Sequence, residues 1–473
     1  MNKALIWFRQ DLRLADNPAV DAAVKECDTV LPVFIDETGG NSGLLQKESS
    51  ASHVWLHHAL LALDTKLQDK GSALLIRRGV ALQCLSELVK EAGITHVYWN
   101  RRYDPAGIST DTAIKKALTE TGCKVRSFNG SLLDEPWTVL KQDDTPYKVF
   151  TAFWKARLKR GIDTQLFPEP ATLPAADKQP QGLSIEQLNY LPDIRWDQGM
   201  MEHWTVGEDA AQEKLADFLE QQGAEYKTLR DLPAQTGTSR LSPHLHFGEI
   251  SPRRIYYQAE AYLAEHPGAE TGIRCFLSEV GWREFAYSLL YHFPETVSEP
   301  LDQRFTGFEW RDDYASDLKR WQRGMTGFPI IDAGMRELWA TGWMHNRVRM
   351  IVASLLTKNL LIHWREGEKW FHDTLLDADL ASNTMGWQWV AGSGADAAPY
   401  FRIFNPVLQS EKFDPSGDYI RRWVPELKDF SNKQIHQPYQ YVDKFKDYPA
   451  PMVDLKASRA RALERFAAIK SDK

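Results

Sequence analysis

"ALIWFRQDLRLADNPAVDAAVKECDTVLPVFI", residues 4–35, holds two short apolar runs, "ALIWF" (4–8) and "TVLPVFI" (29–35), divided by a charged, mixed segment. Runs this short, bounded by turn residues, read as buried strands. The signal recurs at "ALLIR" (73–77), "HVYWN" (96–100) and "KVRSF" (124–128), with helical patterns between, clearest at 51–70 and 81–93. Near-continuous apolar strands alternating with helices predict a doubly wound, parallel α/β sheet over residues 1–130. No G-x-G-x-x-G follows the first strand, so the dinucleotide-binding fingerprint is absent.

The 473 residues exceed one ordinary core. Over 131–203 the pattern breaks up, and the Pro- and Ala-rich "FPEPATLPAADKQPQG" (167–182) reads as a long connector. From 204 to 473 helical periodicity dominates, at 207–222, 272–293, 329–342 and 346–364, which predicts a mostly α-helical domain. Hydrophobic residues at 43% and charged residues at 26% give a soluble globular balance. No apolar run is long enough to span a bilayer, and "MNKALIWFRQDLRL" lacks a signal-peptide core. Four scattered cysteines without C-x-x-C indicate neither a zinc site nor a disulfide framework. A cytoplasmic protein with no membrane partner is expected. The net charge of −7 argues against whole-surface nucleic-acid binding but leaves room for a local basic groove.

Seventeen tryptophans are the compositional oddity, and most follow residue 195. "NTMGWQW" (383–389) sets Trp387 and Trp389 two positions apart. On a helix, i and i+2 do not share a face, so the two indoles must serve different surroundings. Four further stretches can carry chemistry. "TGTSRLSPHLHFGEISPR" (236–253) gathers Gly237, Thr238, Ser239, Arg240 and Ser242 before helical sequence, which suits a pyrophosphate or an ordinary capped turn. "LSEVGWREF" (277–285) puts Glu279, Trp282 and Arg283 on one face, as an ion pair or as a pocket wall. "GWMHNRVRM" (342–350) presents Asn346 and Met350 together with Arg347 and Arg349, suited to anionic groups; His345 reads as structural. "LLDADLASNTMGWQW" (375–389) adds Asp377 and Asp379, either as acid–base groups or as caps and ion-pair partners, with Arg349 available to pair. No metal-ligand set follows them.

Together, "WFRQDLRLADNPA" (7–19), "TGTSRLSPHLHFGEISPR", "TGWMHNRVRM", "HWREGE" and "GWQWVAGSGADAAPYFRIFNP" closely resemble the signatures of the photolyase/cryptochrome family, in order and over nearly the whole chain. The resemblance implies non-covalently bound FAD in the helical domain. It assigns Tyr226, Thr238, Ser239, Arg240, Leu241, Ser242, Phe276, Arg349, Asp377, Asp379 and Asn383 to the cofactor, with Arg349 pairing Asp377 and Asn383 facing the flavin. It makes Trp387, Trp364 and Trp310 an electron relay from flavin to surface, and turns Trp389 toward substrate.

The implied substrate is a cyclobutane pyrimidine dimer in UV-damaged DNA, flipped into a pocket at a cost of about a few kcal/mol. Trp282 and Trp389 would stack on it, Glu279 would hydrogen-bond a base carbonyl, and Asn346 and Met350 would line the cavity. Arg230, Arg283, Arg347 and Gln409, with Glu279, Trp282 and Asn346, are the implied DNA contacts. Asn346 and Glu279 resemble the class I dimer-repairing enzymes. A monomer is expected. A folate antenna bound in the family's best-known way needs an Asn-Glu pair where Ala106 and Gly107 stand. That leaves methenyltetrahydrofolate held otherwise, 8-hydroxydeazaflavin, or no antenna. The rival readings are a cryptochrome-type blue-light photoreceptor without repair and a dark flavin oxidoreductase.

Overall fold

The computed structural model describes residues 1–37, 50–163, 165–175, 179–397, 401–441 and 448–471. Residues 176–178 of the Pro- and Ala-rich stretch and Ala398, Pro399 and Tyr400 of the last motif lie outside the described residues. All five expected strands form: β1 (Lys3–Phe8), β2 (Thr29–Asp36), β3 (Leu75–Arg78), β4 (His96–Asn100) and β5 (Lys124–Phe128). They pair in parallel in the order β3-β2-β1-β4-β5, with Leu5 opposite Leu31 on one side and Val97 on the other. Strand order reverses between β1 and β4, where such sheets commonly bind ligands beyond the strand ends. Here Arg9 reaches from the end of β1 to Asp111 (2.6 Å), and Asn100 at the end of β4 donates to Asp11 (2.6 Å). Charged and polar side chains of the chain itself thus meet one another at the ends of these strands.

Around and after the sheet come the helices α1 (Pro18–Glu26), α2 (Ala51–Asp69), α3 (Ala81–Ala92), α4 (Pro105–Glu120), α5 (Phe150–Lys159), α6 (Asp197–Met201) and α7 (Glu208–Gln221). Next are α8 (Tyr226–Leu229), α9 (Ser242–His246), α10 (Pro252–Glu265), α11 (Glu270–His292), α12 (Ala315–Gln322), α13 (Pro329–Thr341) and α14 (Asn346–Ser354). The last are α15 (Trp364–Thr374), α16 (Leu380–Ala391), α17 (Pro406–Phe413), α18 (Asp418–Trp423) and α19 (Leu455–Ser471). Among the described residues no strand follows β5.

Two compact units result. One gathers residues 1–147, 151–221 and 239–294, and the other 148–150, 222–238 and 295–473. These cuts differ from the sequence boundaries at 130 and 203. The segment read as a connector contains α5 and α6 and buries Phe153, Leu173, Leu188 and Tyr190. Isolated apolar anchors without a period leave no pattern to read.

The single helix expected over 346–364 is corrected. Residues 355–359 widen into a turn closed by Leu360 N–H on the Leu355 carbonyl (2.9 Å), and Leu361 then takes a left-handed conformation at φ 55°. Leu355, Leu356, Leu360, Leu361 and Ile362 are all buried, so the apolar run reported burial rather than helical continuity. The break makes Trp364 the first residue of a new helix.

Candidate active site

The second unit's core is built around α13, α14, α15 and α16, and α16 packs on both α14 and α15. Both ends of α16 are fixed. Asp379 caps its first turn through the Ser382 N–H (2.8 Å), and Gly392 closes it at φ 91°. The buried Lys358 Nζ donates to the last carbonyl, that of Ala391 (2.6 Å), and lies 3.1 Å from the centre of the Phe401 ring. Nothing in a helical pattern marks such a lysine, and the sequence reading missed it.

On this helix Trp387 and Trp389 do face different surroundings. Trp387 is buried, edge-on to Phe371 (5.0 Å between centroids) and Trp321 (6.2 Å). Its ring lies so close to α15 that a Cβ at Gly367 would come within 2.0 Å of it. Gly367 and Trp364 share a face of α15 at i, i+3, so the same glycine brings Trp387 against the helix that Trp364 begins. Trp389 is half-buried, with the Arg402 guanidinium 5.5 Å from its ring centre. Asn383 is oriented by its amide, which donates to the Glu368 carbonyl (3.2 Å).

Asp377 is held by Arg349, whose guanidinium reaches one carboxylate oxygen (2.8 Å) and the Met344 carbonyl (2.7 Å). The other oxygen, Oδ1, is buried with no hydrogen-bond partner among the described residues. A half-satisfied buried carboxylate calls for a donor, and the polar N–H edge or ribose hydroxyl of FAD is such a donor. The residues present therefore fit the cofactor. Asp379, equally buried, has its backbone N–H on the Asp377 carbonyl (2.6 Å).

α14 is capped by His345, whose Nδ1 accepts the Arg347 N–H (3.2 Å). Burial, together with Arg347, Arg349 and Arg230 and against the pull of Asp231, pushes the pKa of this imidazole down to about 3, so it stays neutral. The structural reading of His345 fits this role. Asn346 is exposed and Met350 half-buried one turn on. Arg347 grips Asp231 (2.6 and 3.2 Å) and lies 4.4 Å over Phe413. A phosphate would have to displace that carboxylate. Gln409, on α17, lines a cleft with Asn359, Phe404 and Arg459. Tyr226, Arg230 and Thr238 also belong to this unit, Arg230 lying 5.6 Å over the buried Tyr226 ring.

The first unit carries the remaining residues. Ser239, Arg240, Leu241 and Ser242 form a loop into the short α9, and Arg240 is held left-handed at φ 50°. A non-glycine residue so placed is strained and is maintained by its surroundings. The loop's continuation is anchored by the N-terminal signature. Buried Arg13 donates to the carbonyls of Asp16, Gly130 and Gly248, and a Cβ at Gly248 would meet the Gln10 carbonyl at 2.1 Å.

On α11, Phe276 is buried against Phe218 (4.6 Å), Glu279 and Trp282 are half-buried, and Trp282 lies edge-on to Phe285 (5.9 Å). Arg283 donates to the Ser131 carbonyl (2.6 Å) and lies 4.7 Å over Tyr287.

Glu284, which the sequence reading passed over, accepts the Leu133 and Asp134 N–H groups (2.9 and 3.3 Å) and so ties α11 to the 131–134 loop. Burial pushes its carboxyl from 4.5 up to about 7, against the pull of Arg283 and Arg157. The native state then holds a proton that the unfolded chain has released, and stability falls as pH rises from 4.5 to about 7. Glu284→Gln is expected to abolish that fall and to be more stable than the parent above pH 7, by at most about 3 kcal/mol. Urea denaturation on both sides of the window checks it, and equal pH slopes in the two proteins would refute it.

Comparisons with known proteins agree with this architecture. A model of the DNA photolyase family matches residues 4–174, and a model of the FAD binding domain of DNA photolyase matches residues 276–468. The chain is 48% identical to a deoxyribodipyrimidine photo-lyase of Agrobacterium fabrum, over 98% of both chains. It is 36% identical to Cryptochrome-2 of Arabidopsis thaliana, over 98% of this chain and 79% of that protein. Among solved structures, a bacterial class III photolyase from Agrobacterium tumefaciens superposes with a TM-score of 0.94 at 47% identity, covering 99% of this chain and 98% of that one. The chain belongs to the DNA photolyase family and carries its FAD-binding domain.

Proposed function

We infer that this protein repairs cyclobutane pyrimidine dimers in UV-damaged DNA with light, a deoxyribodipyrimidine photo-lyase activity. The observation that carries the inference is the full-length likeness to a photo-lyase. Asp377, buried with one oxygen on Arg349 and the other awaiting a donor, lies in the segment matched as FAD-binding. FAD, when bound, reduced and excited, supplies the electron that splits the dimer.

The chain's own residues do the rest. Arg349, Asp377, Asp379 and Asn383, with Tyr226, Thr238, Ser239, Arg240, Leu241, Ser242 and Phe276, hold the cofactor, and the uncharged Asn383 amide offers it no acid. Trp282 and Trp389 present aromatic faces for the flipped pyrimidines, each worth roughly 1–3 kcal/mol of stacking. Asn346 and Met350 would line the substrate cavity. Arg230, Arg283, Arg347 and Gln409 meet the DNA, with sequence-independent affinity from phosphate contacts. Trp387, Trp364 and Trp310 would provide the path by which an electron from the surface reaches the bound cofactor.

We place the functional halves at 1–130 and 204–473, with 131–203 between them, and the protein in the cytoplasm as a monomer. The Asn346 and Glu279 motif points to class I. The likeness to a structure described as class III favours that class for this chain. A folate or deazaflavin antenna would need contacts other than those at Gly107, where a Cβ would meet Asp104 at 2.5 Å.

Irradiating dimer-containing DNA with the purified, reduced holoprotein tests the reading. Dimers should disappear in light and persist in darkness; persistence in both, with flavin bound, would favour the photoreceptor alternative, which the cryptochrome likeness keeps in view. Glu279→Gln sharpens it. The amide keeps the shape but stabilises developing negative charge on the substrate less well. Lesion affinity should fall by no more than about threefold, and repair yield per absorbed photon by about tenfold. An unchanged yield at saturating substrate would remove Glu279 from the catalytic residues.

A further inference from the structure

The relay reading above leaves a gap between its two outer members. Trp310 and Trp364 make no ring contact with each other among the described residues, yet both touch one ring. His363 lies 5.0 Å from Trp310, edge-on, and 5.5 Å from Trp364 between centroids. Its position is fixed. The backbone break at Leu361 ends the preceding turn, and His363 Nδ1 accepts the Arg365 N–H (3.2 Å) as the cap of α15. With Nδ1 committed as an acceptor, the neutral imidazole carries its proton on Nε2.

We propose that His363 is a bridging residue, whose uncharged imidazole couples Trp310 to Trp364 electronically. The proposal rests on the relay reading. The step it serves lies within the chain. One electron leaves the Trp310 indole and fills the vacancy on an oxidised Trp364 indole; Trp364 returns to neutrality and Trp310 is left as the cation. A thiol reductant in solution then refills Trp310. Throughout, His363 is neither oxidised nor protonated. An occupied gap carries an electron faster than an empty one, because bound electrons in the intervening ring lower the tunnelling barrier. A neutral ring also adds no positive charge to oppose the passing indole cation.

The surroundings keep His363 neutral. Burial is the largest influence, with Arg365 and Lys369 acting in the same sense against Glu366, and together they lower its pKa from the ordinary histidine value. Its backbone cap also needs a free Nδ1 lone pair, which protonation would remove.

Two substitutions separate the ring from the cap. His363→Asn keeps a good N-cap acceptor and removes the ring, whereas His363→Phe keeps a ring and removes the acceptor. Flash photolysis of the oxidised holoprotein, following tryptophan radical absorbance, reads the Trp310-to-Trp364 step directly. We expect the asparagine variant to slow that step about tenfold and the phenylalanine variant to stay within about threefold of the parent. Acidification below the usual histidine range should slow the step in the parent and not in His363→Phe. The proposal falls if His363→Asn matches the parent, or if His363→Phe is the slower of the two, since the cap alone would then be what matters. Trp310→Phe is the control for the underlying reading. If it leaves the radical signal unchanged, the relay assignment is wrong; if it abolishes the signal while His363→Asn does nothing, the relay stands and the bridge does not.

Discussion

Arg349→Ala is expected to give a purified protein nearly free of FAD. Asp377 is buried, and its one satisfied oxygen depends on Arg349 at 2.8 Å. Removing one partner of a buried ion pair leaves an uncompensated charge, which costs about 3–5 kcal/mol. The carboxyl can escape that cost only by taking up a proton, and it then no longer presents the acceptor that its unpartnered Oδ1 now offers. A second contact is lost as well, because Arg349 also holds the Met344 carbonyl (2.7 Å), just before the cap of α14. Either loss should lower flavin affinity by on the order of a hundredfold or more. Arg349→Lys keeps the charge without the planar fork and should fall between alanine and the parent. Flavin-to-protein absorbance ratio and flavin titration of the apoprotein measure it. Full flavin content in the alanine variant would separate the Arg349–Asp377 pair from the cofactor.

The contrast between what was legible and what was not follows from what sequence patterns encode. Apolar strands buried on both faces leave unmistakable runs, and all five strands appeared within a few residues of where "ALIWF" and its successors placed them. Trp387 and Trp389 were separable from spacing alone, because i and i+2 cannot share a helical face. The Arg349–Asp377 pair was foreseeable from charge complementarity, and it formed.

What escaped was held by backbone geometry or by burial. The break at Leu361 was invisible because an apolar run is written the same way whether or not the helix continues. Lys358 and Glu284 are ionisable residues in buried places, held by carbonyls or N–H groups distant in sequence, so nothing local announces them. The Arg283 guanidinium likewise finds a carbonyl from a distant loop, that of Ser131, which helical spacing does not announce.

Trp310→Phe is expected to block light-driven reduction of the oxidised holoprotein while leaving repair by chemically pre-reduced protein nearly intact. The three relay members differ in burial in the order the role demands: Trp387 and Trp364 are 2% and 1% exposed, and Trp310 is only half-buried, at the edge of the core. An inner pair sealed from solvent can pass an electron but cannot be refilled by a reductant; only the outer indole can. Phenylalanine preserves the packing against Phe308 (4.6 Å) and His363 (5.0 Å) but is far harder to oxidise, so the relay stops one member short of the surface. The vacancy on Trp364 is then filled only by charge recombination. Photoreduction in the presence of a thiol should drop by on the order of a hundredfold. Repair begins from a cofactor already reduced and draws nothing through Trp310, so its yield after dithionite treatment should stay within about twofold of the parent. Trp339 supplies the matched control. It is 67% exposed and stacked on Trp370 at 6.0 Å, a surface indole outside the proposed path. Trp339→Phe should leave photoreduction unchanged. Were Trp339→Phe the damaging variant, the electron would leave through the Trp339–Trp370 stack. Were repair by pre-reduced Trp310→Phe to collapse with photoreduction, Trp310 would be supporting the site itself rather than feeding it.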